Sequence, residues 1–164
     1  MKKTLFVLVG IALLLSGCFG NPLVSAELVG SWSTAFEGQD GAPNMLFEFN
    51  EDGTFKWYQD ESVTSDNYYY GNYTVVNGEA AIRAAEQATG NSNLETQLQD
   101  YGFAADFNDL FFVILQQQGV MMDGVETKYQ TETQVPLILQ LNGPKNELYG
   151  VNYNTFTRYF MTKI

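Results

Sequence analysis

Apolar and polar residues alternate with a period of two over several short stretches of the chain. Met45, Phe47 and Phe49 alternate with Leu46, Glu48 and Asn50, the pattern of a half-buried strand. Asn50-Glu51-Asp52-Gly53 then predicts a hairpin loop, with Gly53 supplying a positive φ, and residues 54–59 return as the partner strand. Residues 30–36 predict an earlier strand. Residues 68–76 predict a later one, rich in tyrosine. The run Leu110-Phe111-Phe112-Val113-Ile114-Leu115 is continuously apolar but too short for a helix. A hairpin is expected near Gly119 or at Asp123-Gly124. Residues 135–141 predict another strand, with Pro136 at an edge or bulge. Residues 147–151 and 155–163 predict the last two, with Phe156, Arg158 and Phe160 on one face of the final strand.

One region breaks the pattern. Residues 79–88 hold five alanines, which favour helix, and Gly90 is placed to end it. Ser92 and Glu95 have the spacing of a capping box. Leu94, Leu98 and Tyr101 then fall on one helical face, and Gly102 is a suitable stop. Two helices are thus expected at about 79–102, inserted among eight or nine strands in hairpin order. Such a mainly β meander closes into an up-and-down antiparallel barrel to remove its edges. With eight strands the interior is either just filled or holds one small ligand.

Composition narrows the chemistry. The 164 residues carry 8 Lys plus Arg against 19 Asp plus Glu, for a net charge of −11, with no histidine and one cysteine, Cys18. An intramolecular disulfide, a Ser-His-Asp or Cys-His catalytic set and a zinc site with a His ligand are all excluded. The acidity argues against nucleic acid as a partner, since phosphate neutralisation needs clustered cations. No spacing singles out a pair of the acids for glycoside hydrolysis, so a hydrolase has no support and no enzyme is expected.

The N-terminus is set apart from the fold. Lys2 and Lys3 precede an apolar run of 11 residues, 5–15, too short to span a bilayer. Leu15-Ser16-Gly17-Cys18 follows and resembles the bacterial lipobox. The resemblance implies cleavage after Gly17, a diacylglycerol on Cys18, and an extracytoplasmic, membrane-anchored protein. Phe19 stands where the inner-membrane retention signal of Gram-negative lipoproteins has Asp. The resemblance therefore implies an outer-membrane destination in a Gram-negative cell. The expected organisation is a signal peptide at 1–17, a lipidated cysteine and tether at 18–26, and one domain at 27–164. Without Lys2 and Lys3 the chain carries 6 positive and 19 negative side chains, a net of −13. Anionic headgroups repel such a domain.

Leu28-Val29-Gly30-Ser31-Trp32 resembles the G-x-W signature that opens the lipocalin barrel. Residues 47–55 and 70–73 are similar to the next strands of bacterial lipocalin-like domains, and residues 155–158 to their closing strand. The stretch 70–82 and the late strands look more like uncharacterised lipoproteins of Gram-positive bacteria. The lipocalin resemblance implies that Trp32 packs under Arg158 at the closed base, within about 6 Å. It also implies a small apolar or aromatic ligand, or a peptide, in the barrel mouth. A filled barrel serving as a structural or interaction module of the cell envelope is the alternative.

Four other groups bear on binding. Tyr68, Tyr70 and Tyr73 are candidates for an aromatic ligand platform, although Tyr68 and Tyr70 share one strand face and Tyr69 and Tyr73 the other. Glu48-x-Asn50-x-Asp52-Gly53 echoes a calcium loop. It fails at position one, which is Glu, and at position twelve, which is Gln59. Asp60, Glu61 and Asp66 read as a solvated acidic loop, and Met121-Met122 as gap-filling or surface residues. No metal and no cofactor is expected.

Overall fold

The computed structural model describes residues 24–38, 44–60, 62, 64–143 and 146–164. Its eight strands are β1 (Gly30–Phe36), β2 (Met45–Phe49), β3 (Thr54–Tyr58), β4 (Tyr68–Asn77), β5 (Leu110–Met122), β6 (Val125–Asn142), β7 (Glu147–Asn152) and β8 (Thr157–Lys163). Each pairs antiparallel with the next, and β8 pairs with β1 to close an up-and-down barrel. Helices α1 (Glu79–Thr89) and α2 (Leu94–Asp100) lie between β4 and β5. This is the lipocalin-like barrel with a helical insertion that the sequence pattern implied.

The turns follow local chemistry. Gly53 has φ 81, and the Asp52 carboxylate accepts hydrogen bonds from the Thr54 amide and hydroxyl at 2.9 and 2.6 Å. Of the two candidate hairpins after β5, Asp123-Gly124 is the turn. Both residues have positive φ, as a tight two-residue loop requires. Gly90 adopts the left-handed conformation that ends α1. The expected capping box does not form. Asn93 takes the N-cap of α2 without a side-chain bond, one residue later than the Ser92 spacing placed it.

Strand β6 is much longer than the pattern indicated. Residues 125–134 are mostly exposed and polar, so they carry no alternation to read. They form a ribbon with the upper part of β5, and the β6–β7 ladder begins only at Leu137, one residue past Pro136. The pairing shifts between Gln117↔Thr133 and Gly119↔Lys128, a bulge that leaves residues 129–132 of β6 outside the ladder.

The interior is filled. Tyr73, Phe49, Phe47, Trp57 and Tyr69 form a continuous series of ring contacts, with centroid separations of 5.1, 6.0, 5.0 and 5.5 Å. Trp32, Phe55, Phe111 and Leu139 pack around it and are fully buried. At the base, the turn before β1 folds Leu28 inward, and its carbonyl accepts the Trp32 indole N–H at 2.8 Å. A second apolar cluster lies outside the barrel wall, where α1 and α2 cover β5, β6 and β7. The two clusters explain the unbroken apolar run of β5. Phe111, Val113 and Leu115 point into the barrel, and Leu110, Phe112 and Ile114 point under the helices.

Candidate functional site

Several residues singled out in the sequence sit elsewhere than expected. Arg158 does not cover Trp32. Its guanidinium pairs with Glu37 at 2.9 Å and lies 5.2 Å from the Tyr101 ring. The cation over Trp32 is Lys163, with Nζ 5.2 Å from the indole centroid. The reason is register: Trp32 pairs with Lys163 across β1 and β8, whereas Arg158 pairs with Val151 at the far end of β8. The pairing of Trp32 with Arg158 that the lipocalin resemblance implied does not form.

Tyr68, Tyr70 and Tyr73 do not form one platform. Tyr73 is fully buried in the barrel, with its hydroxyl donating to the Asn50 carbonyl at 3.0 Å. Burial pushes its phenol up to about 12, with the Asp52 charge adding to the effect. Residues 70 and 73 are an odd number apart and so face opposite sides. Tyr68 and Tyr70 stay together on the outer wall, 6.4 Å apart, beside a depression of about 270 Å³. The Tyr70 hydroxyl donates to Glu126 at 2.6 Å, and that bond pushes its phenol up to about 12. Lys56 Nζ lies 4.9 Å above the Tyr68 ring. These phenols already have partners.

Leu15, Ser16, Gly17, Cys18 and Glu61 lie outside the described residues. Among the described residues, no group of three or more His, Cys, Asp or Glu side chains is placed to hold a metal ion. No helix among them is long and apolar enough to cross a membrane.

A cleft of about 600 Å³ opens outside the barrel wall. Its floor is Phe112, Ile114, Pro136 and Ala88, and its rim carries Gln134, Tyr153, Asn154 and Glu132. Its cause is a mismatch of lengths. Helix α1 has 11 residues and spans about 16 Å, ending at Gly90, while β5 and β6 run on past it. Small buried residues, Ala81 and Ala85, seat the helix close to the wall. Beyond its last turn Phe112 and Ile114 stay buried, and the half-buried Pro136 and the polar rim residues line the opening.

The segment after α2 is fixed firmly to the wall. Gln140, almost fully buried, accepts from the Ala104 amide at 2.7 Å and donates to the Ala104 and Asp106 carbonyls at 3.3 and 2.9 Å. The Tyr149 hydroxyl donates to the Tyr101 carbonyl at 2.5 Å. The residues of the cleft were not marked as a site by sequence reasoning. The available signal was a helix shorter than the strands beside it.

No protein-family model, curated protein or solved structure matches this chain.

Proposed function

We propose that the protein is a lipid-anchored, extracytoplasmic binding protein without catalytic activity. The filled barrel acts as a rigid frame, and a small amphiphilic molecule or short peptide segment is held in the cleft between α1 and the outer face of β5 and β6. The observation that carries this reading is the cleft itself. It has the volume usual for ligand sites, an apolar floor and a few polar rim groups. The packed aromatic interior argues against the barrel mouth as the binding place. The lipobox residues Leu15 to Cys18 support anchoring, and the tether of about eight residues keeps the domain within roughly 30 Å of the bilayer.

Native mass spectrometry of the purified full chain tests the cleft. A bound molecule is expected, and Gln134→Trp or Ala88→Trp, each projecting an indole into the cleft, should release it. Retention in both folded variants refutes the reading. Cys18→Ala should move the protein out of the membrane fraction, and a cleaved protein that stays there refutes the anchor. A second reading, an interaction module of the cell envelope, draws on the exposed ribbon of residues 119–132. It predicts no bound small molecule and loss of a protein partner when the ribbon is shortened.

A further inference from the structure

We infer that the aromatic side chains at one end of the cleft, Phe156, Tyr153 and Tyr101, form a binding platform for a neutral saccharide chain. The inference rests on the cleft being a ligand site and names the class of its ligand.

The first observation is the backbone of Phe156. It closes the β7–β8 hairpin with φ 56, a left-handed conformation that favours glycine or asparagine and is costly for a bulky side chain. The loop enforces it. The Phe156 amide donates to the Asn152 carbonyl at 2.7 Å, and the Asn152 side chain accepts from the Asn154 and Thr155 amides. The strain does not serve burial, because Phe156 remains 50% exposed. A local rule broken without gain in packing points to function.

The second observation is what the ring joins. Phe156 lies 5.5 Å from Tyr153, which itself lines the cleft, and 6.1 Å from Tyr101 with the two planes within 28°. Rings from two segments, the β7–β8 hairpin and the end of α2, thus continue the cleft outward as a partly exposed aromatic surface. Its polar surroundings are amides and hydroxyls, with the Arg158–Glu37 ion pair beside Tyr101: Asn91 donates to the Tyr153 hydroxyl and to Gln97, and Asn154, Thr155 and Thr157 lie nearby.

Charge selects the occupant. An anionic chain is disfavoured by the net charge of −11. A cationic ligand is disfavoured too, because Arg158 already places its guanidinium over Tyr101 and is held there by Glu37. A neutral pyranose meets both conditions. Its C–H face packs on the negative face of an aromatic ring, and its hydroxyls exchange hydrogen bonds with the surrounding amides.

Isothermal titration of the full chain in detergent with β-1,4-linked tetrasaccharides of glucose and of N-acetylglucosamine tests this. At least one should bind with a Kd below about 1 mM, and a galacturonate tetramer should not. Phe156→Gly should weaken binding at least tenfold while raising Tm by about 2–5 °C through relief of strain. The inference is overturned if neither neutral tetrasaccharide binds, or if Phe156→Gly leaves the affinity unchanged. It is also overturned if an aromatic hexapeptide binds more tightly than both. If no saccharide binds but Gln134→Trp still releases a co-purified molecule, the platform fails and the cleft stands. If a saccharide binds through Phe156 and Gln134→Trp releases nothing, the reading of the cleft fails, and with it the inference that the platform names the cleft's ligand.

Discussion

The ammonium of Lys163 sits 5.2 Å from the centroid of the Trp32 indole, joining the last strand to the first at the base of the barrel. Lys163 also donates to the Glu27 carbonyl at 3.4 Å, so one side chain ties the turn before β1 to the closing strand. Its stem passes so close to Gly30 that a Cβ there would meet Cε at 2.8 Å. The strained Gly30, at φ 131, is therefore the residue that lets the lysine reach the ring.

A double-mutant cycle should locate this contact. Trp32→Phe combined with Lys163→Met should show a coupling of about 1 kcal/mol in urea denaturation, the scale of a partly desolvated cation–π pair. Trp32→Phe combined with Arg158→Met should be additive. Coupling to Arg158 and none to Lys163 would contradict the register.

Gly71 should not tolerate a side chain. A Cβ there would lie 1.9 Å from the Gln116 carbonyl oxygen, a backbone atom of the neighbouring strand at the bulge. Gly71→Ala is expected to cost at least about 3 kcal/mol. A variant with an unchanged denaturation midpoint would show that the β4–β5 pairing is looser than described.

Gln140 should be worth more than its polarity suggests. Gln140→Leu removes the partners of the Ala104 amide and of the Ala104 and Asp106 carbonyls, at a cost of about 2–3 kcal/mol. Hydrogen exchange should show lost protection at the Ala104 amide, with the barrel strands unaffected. Equal loss across the barrel would mean that the clamp is not local.

Alkaline pH should unfold the protein in a defined window. Tyr73 and Tyr58 are pushed up to about 12, each chiefly by burial, from 10.0. Burial also raises Tyr159 and Tyr149. The folded state holds these protons more tightly than the unfolded chain, so their contribution to stability is complete below pH 10. It is lost between pH 10 and about 12 as the unfolded phenols ionise first. With no histidine in the chain, the imidazole range adds nothing. Phenolate absorbance should rise in two steps, the second coinciding with loss of the β-sheet circular dichroism signal. Tyr73→Phe should shrink the second step, and a single step near pH 10 would contradict the burial.

Strand order, the glycine turn at 53 and the helical insertion were legible because they depend on near neighbours in the chain, while the turn at 124 was one of two candidates. Alternation placed Phe47 and Phe49 inside, and alanine content placed α1. The lower part of β6 was legible and its upper part was not, since an exposed ribbon of Thr, Glu and Gln obeys no period. Phe156 read as a strand residue because its neighbours Arg158 and Phe160 alternate with it; only the hairpin geometry turns it out of the ladder.

The sequence by itself determined the class of fold and, where residues alternate as at Phe47 and Phe49, which side chains face the barrel, because a period of two fixes side-chain direction locally. The tertiary structure alone decided which cation meets Trp32, since that depends on the register between strands from opposite ends of the chain. It alone decided how rings from six strands pack together inside the barrel. The cleft has the same origin. Helix length and strand length are each local, but the cleft between Ala88, Pro136 and Tyr153 exists only where the two are laid side by side.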